Sequence, residues 1–180
     1  IVMFKSLYPN FEVNSAYEID FEALYRKGIR GIIFDIDNTL VTHGAPADER
    51  AIKLFGCLKE IGFETVLLSN NKEPRVKKFN DVVQVNYIYK ANKPMPDNYR
   101  KAMEIMGTTT ENTLFVGDQI FTDVMGGNLA GIRTFLVKPI HPKEEIQIVL
   151  KRIPEKLILL FYKIKVKLFK GKYESAVKRT

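Results

Sequence analysis

Two aspartates one residue apart close a short apolar run, Gly31-Ile32-Ile33-Phe34-Asp35-Ile36-Asp37-Asn38-Thr39-Leu40. A buried strand over residues 29–34 can deliver two carboxylates to its end only where something offsets their desolvation. A hard cation does so, because aspartate oxygens are Mg²⁺ ligands and Mg²⁺ in turn binds phosphate. Strand alternation sends Asp35 and Asp37 to the same side. Of two carboxylates sharing one site, one can attack and the other can carry a proton. The pattern points to phosphoryl chemistry.

Two further apolar runs end in polar groups. Thr65-Val66-Leu67-Leu68 leads into Ser69-Asn70, and Thr113-Leu114-Phe115-Val116-Gly117 leads into Asp118, with Asp123 shortly after. Four acids, Asp35, Asp37, Asp118 and Asp123, with no cysteine or paired histidine near them in sequence, suit Mg²⁺ rather than Zn²⁺. His43 lies close to the first aspartates, but a loop histidine is more often simply solvated, and it is left out of the candidate site.

The elements that must position these groups alternate. Strands are predicted over residues 29–34, 65–68, 87–89, 114–116 and 134–137. Helices are predicted over 48–61, with Asp48 and Glu49 in the first turn, and over 75–80 after Pro74. Two more span 97–106, stopped by Gly107, and 121–130, closed by Gly131. Such alternation argues a three-layer, Rossmann-like α/β sandwich around a central parallel sheet. Ligands of these sheets bind beyond the carboxyl ends of the strands, where Asp35, Ser69 and Asp118 all fall. There is no internal repeat and no low-complexity tract.

At 180 residues and 46% hydrophobic content, the chain can bury a sizeable core. The single cysteine, Cys57, excludes an internal disulfide; its place in a predicted helix suggests an inert core thiol and a reducing compartment. The start, Ile1-Val2-Met3-Phe4-Lys5, lacks the apolar stretch of a signal peptide, and no run reaches the roughly eighteen apolar residues of a membrane span. A cytoplasmic location is expected.

Charge is concentrated at the carboxyl end. Residues 151–180 hold ten Lys or Arg and two Glu, a net of +8 against +7 for the whole chain, which leaves −1 on residues 1–150. Ile146, Leu150, Ile153, Leu157, Leu160, Phe161, Ile164 and Leu168 form an apolar stripe at helical spacing, flanked by Arg152, Lys156, Lys163, Lys167 and Lys170. This is the pattern of an interfacial membrane helix. A helix packed on the parent domain, with solvated lysines outside, fits the same pattern. Nucleic acid is the least favoured partner, since the tail carries few stacking aromatics and no binding motif.

The motifs also carry a resemblance. Asp35-Ile36-Asp37-Asn38-Thr39 is similar to the DxDxT signature of the haloacid-dehalogenase-like (HAD) phosphatases, Ser69 to their second motif, Lys93 to their conserved lysine, and Gly117-Asp118 through Asp123 to GDxxxxD. The resemblance implies that Asp35 is the nucleophile and forms a phosphoaspartate, while Asp37 is the general acid and then the base. It implies that Ser69 binds a phosphoryl oxygen with Asn70 beside it, that Lys93 neutralises the phosphoaspartate, and that Thr39 helps position the Asp35 loop. Mg²⁺ would be held by Asp35, the Asp37 carbonyl and Asp118, with Asp123 either a further ligand or a partner of Lys93.

The spacing adds to this. From Asp35 to Ser69 is 34 residues and from Ser69 to Lys93 is 24, each little more than one helix and its connections. The cap domain that many HAD enzymes insert there has no room. An open site suits a phosphate presented on something large: a lipid headgroup, a protein or a polynucleotide. The alternative is a small-molecule phosphatase closed by oligomerisation.

The lead-in Leu7-Tyr8-Pro9, Tyr17-Glu18-Ile19-Asp20-Phe21 and Lys27-Gly28-Ile29-Arg30-Gly31 resembles that of the capless YqeG-type proteins, relatives of phosphatidylglycerophosphate phosphatases. That resemblance implies an anionic phospholipid substrate, phosphatidylglycerophosphate, and contact with the inner face of the membrane through the basic tail. A capless phosphatase for a soluble monoester, phosphoprotein or nucleic-acid end is the alternative. The expected layout is a lead-in over 1–28 packed on a core over 29–140, then a basic amphipathic segment over 141–180.

Overall fold

Six short strands make one sheet in the order β1-β6-β5-β2-β3-β4. They are β1 (Phe11–Val13), β2 (Gly31–Phe34), β3 (Glu64–Leu68), β4 (Asn86–Ile88), β5 (Thr113–Gly117) and β6 (Arg133–Val137). Every pairing is parallel. A parallel sheet is covered on both faces, so its central strands are apolar throughout; all four residues of β2 and all five of β5 are buried. The computed structural model describes residues 6–141 and Leu160. The chain divides into two units, residues 1–143 and 144–180. Apart from His141 and Leu160, the basic amphipathic segment lies outside the described residues.

Alternation within the strands splits the core in two. Ile32, Phe34, Leu67, Leu114 and Val116 face one layer, with Phe55 and Phe79. Ile33, Val66, Leu68 and Phe115 face the other, with Tyr99, Ala102 and Ala130. The covering helices are α1 (Phe21–Arg26), α2 (Glu49–Ile61), α3 (Glu73–Val83), α4 (Asp97–Met106) and α5 (Met125–Ala130). Asp48 caps α2 by accepting the Ala51 N–H at 2.8 Å. Gly62 ends it at φ +104°, a conformation that a side chain would oppose.

Several sequence expectations change. The third helix begins two residues before its expected start, because Pro74 falls in the first turn, where a missing N–H leaves no bond unmade. The predicted helix over 121–130 is two pieces, a π-helical turn Ile120–Val124 followed by α5. The lead-in is built into the sheet: β1 forms an edge beside β6, with the Phe11 and Phe135 rings stacked at 4.6 Å. Cys57 is exposed, not a core thiol. Helix α2 buries Ala51, Phe55 and Leu58, and Cys57 projects from the opposite face.

The connections leave the sheet centre in opposite directions. From β2 the chain steps outward to β3 and β4, then returns to β5 on the other side of β2. The crevice of such a sheet opens where neighbouring strands diverge in this way. Asp35 follows β2 and Asp118 follows β5 at that point. Between Asp35 and Lys93 the described chain contains only α2, β3, α3 and β4 with their connections, and no inserted domain.

Candidate active site

Asp35 is carried over the end of β2 by its N–H, which donates to the Val116 carbonyl at 2.9 Å. Its carboxylate is buried and meets a buried lysine: Lys93 Nζ donates to Asp35 Oδ1 at 2.6 Å and to Asp123 Oδ1 at 2.7 Å. Thr39 Oγ1 lies 3.4 Å from Asp35 Oδ2 and 3.3 Å from Asp118 Oδ1, bridging two strand ends. Carboxylate oxygens of Asp35, Asp118 and Asp123 lie within 4.8 Å of one another. Three of the four expected acids and the lysine thus converge.

Asp123 reaches back from the π-helical turn, an irregularity that often marks functional sites. Its Oδ2 accepts the N–H groups of Asp118 at 3.1 Å and Gln119 at 3.0 Å. A Cβ at residue 117 would collide with this carboxylate, so Gly117 is what allows the close approach. Of the two roles open to Asp123, the structure shows it as a partner of Lys93, in a position that also permits a metal.

Burial raises the Asp35 carboxyl to about 7, with Lys93 pulling it down and Asp123 pushing it up. For Lys93, burial acts to lower the ammonium, but Asp123 and Asp35 override it and hold the group above the usual lysine range. Three carboxyl groups against one ammonium, in a dry site, bring more acid than Lys93 alone can balance. A divalent cation with a taste for carboxylate oxygen fits that deficit and donor set.

Asp37 stands apart from the cluster. Its Oδ1 accepts the Gly44 N–H at 2.8 Å and Arg75 Nη2 and Nε at 2.8 and 3.1 Å, while Oδ2 accepts Asn71 Nδ2 at 2.8 Å. Both of its carboxylate oxygens thus take protein donors, away from the three clustered acids. His43, set aside on sequence, lies with Nδ1 3.8 Å from Asp37 Oδ1.

Ser69 is buried at the end of β3, its Oγ accepting the Asn71 N–H at 3.2 Å. Asn70, the next residue, brackets the Lys93 peptide. Its Oδ1 accepts the Lys93 N–H at 2.7 Å and its Nδ2 donates to the Lys93 carbonyl at 3.2 Å. Sequence reasoning missed Arg75 and Asn71, because a basic residue in the first turn of a helix and an asparagine in a turn look like ordinary surface. The one available signal was their nearness to Ser69.

A parallel α/β sheet with an aspartate cluster and lysine at its switch point defines the class: a HAD-like hydrolase. A family model described as "HAD-hyrolase-like" matches residues 90–146. The crystal structure of a HAD family hydrolase from Deinococcus radiodurans R1, with bound phosphate and sodium, superposes with a TM-score of 0.53 at 16% identity. It covers 69% of this chain and 88% of that one, a likeness of fold.

More particularly, the chain is 40% identical over 137 residues to the "Probable phosphatase YqeG" of Bacillus subtilis, covering 76% of this chain and 80% of that protein. It belongs to the YqeG-type family of HAD-like phosphatases, and is a phosphoric monoester hydrolase. It is also 27% identical to a phosphatidylglycerophosphate phosphatase of Arabidopsis thaliana over 76% of its own length, but spans only 42% of that relative.

Proposed function

We propose that this protein removes the terminal phosphate of phosphatidylglycerophosphate, giving phosphatidylglycerol, with Mg²⁺ as cofactor. The phosphatase chemistry rests on one observation: Lys93 held between Asp35 and Asp123, with Asp118 beside them, at the open end of the sheet. The choice of lipid rests on the likeness to the plant phosphatidylglycerophosphate phosphatase and on an interval that holds no cap.

In this reading Asp35 Oδ attacks phosphorus and the phosphorus–oxygen bond to the alcohol breaks. Asp37 Oδ2 delivers the proton to the departing oxygen, then takes one from the water that hydrolyses the aspartyl phosphate. Lys93 meets charge on the transferred group, and Ser69, whose oxygen already accepts from Asn71, offers its O–H to a phosphoryl oxygen. Asp35, Asp118, the Asp37 carbonyl and Asp123 would hold the cation, which supplies positive charge at the phosphoryl oxygens. Asn70 and Thr39 act as positioning residues, fixing Lys93 and the Asp35–Asp118 pair. The basic segment beyond residue 141 would dock the enzyme at the inner face of the membrane by its positive charge. Among the described residues no helix is long and apolar enough to cross a membrane.

The test is phosphate release from phosphatidylglycerophosphate, phosphatidate, nucleotides and phosphopeptides, with and without Mg²⁺. Preference for phosphatidylglycerophosphate, abolished by chelator and restored by Mg²⁺, is expected. Equal turnover across the panel, or full turnover in metal-free protein, would sink this reading.

A further inference from the structure

Arg75 is held in an unusual way. A guanidinium normally lays its planar fork across both oxygens of a carboxylate. Here Nε and Nη2 both point at Oδ1 of Asp37, at 3.1 and 2.8 Å, and that oxygen also takes the Gly44 N–H. The third nitrogen, Nη1, is buried and has no acceptor. Leaving such a donor unpaired is unfavourable, more so on a charged group.

The surroundings are cationic. Lys72 and Lys90 are exposed on either side of Asn71, Lys90 through its N–H on the Asn71 carbonyl at 2.9 Å. Lys78, one turn beyond Arg75, holds the Gly44 carbonyl at 2.9 Å. This is the side of the site on which Asp37 would meet the departing alcohol.

We propose that Arg75 is a specificity-determining residue for a phosphodiester carried on the leaving alcohol, an inference that rests on the phosphatase reading above. Turning the guanidinium from Asp37 toward that diester gives Nη1 the acceptor it lacks. The same turn relieves Oδ1 of two donors and leaves Asp37 held by Asn71 and Gly44. The diester is thus recognised and Asp37 freed of its guanidinium in one movement. A monoester whose alcohol carries no second anion leaves Arg75 on Asp37.

The experiment compares two soluble monoesters that present the same glycerol phosphate end: glycerophosphoglycerol phosphate, with a diester, and glycerol 3-phosphate, without one. Wild type should prefer the first in kcat/KM by about tenfold or more, the order expected of one charge-assisted contact. Arg75→Gln should bring the preference close to unity, chiefly through KM. Loss by the same factor on both substrates would mean that Arg75 only positions Asp37 and would overturn the proposal, as would a wild type without preference. If Arg75→Gln does not fold, Arg75→Lys takes its place and must also lower the preference, since an ammonium lacks the planar fork; an unchanged preference overturns it. If wild type cleaves neither monoester, the phosphatase reading fails. The anion site is then read alone by titrating glycerophosphoglycerol, a diester without a monoester. Binding to wild type that Arg75→Gln loses supports the site, and equal or no binding overturns it.

Discussion

The two aspartates of one short motif live in different environments. Asp35 is locked in a dry cluster in which Lys93 touches two acids and Thr39 spans two strand ends. Asp37 sits half-buried at the rim, where its four donors come from a loop, a turn and the first turn of a helix. Burial strengthens every charge interaction around Asp35 and leaves little room for rearrangement. The rim has partners that can be exchanged. Fixed electrostatics suit a nucleophile and its charge-compensating lysine, whereas a proton carrier must meet a leaving group, a water and a returning proton in turn.

The comparison breaks most sharply at Asp35. Asp35→Asn removes the nucleophile but hardly any volume, so turnover should fall by about three orders of magnitude or more. Melting temperature should hold or rise, since the variant removes one charge from an acid-rich cluster. Steady-state phosphate release and a thermal melt check both, and wild-type turnover would end the covalent mechanism. Lys93→Met should be the more damaging change for stability. It leaves Asp35 and Asp123 facing each other without their cation, and losing one partner of a buried pair costs roughly 3–5 kcal/mol. Adding Asp123→Asn should recover part of that loss in a denaturant titration; no recovery would mean that the pair is not coupled.

What was readable in the sequence follows the same division. Residues that end apolar strands advertise themselves, because a buried run that stops at a charge needs a reason; Asp35, Ser69 and Asp118 were found that way. The alternation of strands and helices and the glycine stops after α4 and α5 follow from local periodicity and turn chemistry, whereas the strand order is a matter of long-range pairing that no local pattern reports. Arg75 and Asn71 were invisible because their partner, Asp37, is more than thirty positions away and nothing in a helix's first turn names a distant acid. Asn70 was read as standing beside the phosphate; its hold on the Lys93 main chain was not legible, since a polar side chain beside a site is equally able to bond a neighbour's peptide. Cys57 was misread because the helix period puts it opposite Phe55 and Leu58, a matter of phase rather than of residue type. The π-helical turn was hidden as well. It carries the Asp123 carboxylate that bonds back to the end of β5, a contact no periodicity reports.

At the rim the expected effects are smaller. Asp37→Asn keeps the shape of the side chain and an acceptor for Arg75 but removes proton transfer, worth typically 10²–10⁴ in rate. An aryl phosphate, whose leaving group departs without a proton, should lose less in its first step than an alkyl phosphate does. Equal losses on the two would place Asp37 in structure rather than in proton transfer.

Asn70→Ala is the mildest change and the one that sharpens the comparison most. Its amide touches the peptide of Lys93 and not the ammonium, so the substitution leaves every charge in the cluster in place. What it removes is the bracket that holds the lysine's main chain, two hydrogen bonds worth about 1 kcal/mol each at this partly exposed position. If the dry cluster acts through fixed geometry, that loosening should lower kcat by roughly tenfold while KM stays within a factor of about two, because charge is retained and only placement suffers. Asn70→Asp should recover little, since a carboxylate accepts the Lys93 N–H but cannot donate to its carbonyl. A change in KM without a change in kcat would instead put Asn70 in contact with the bound phosphate.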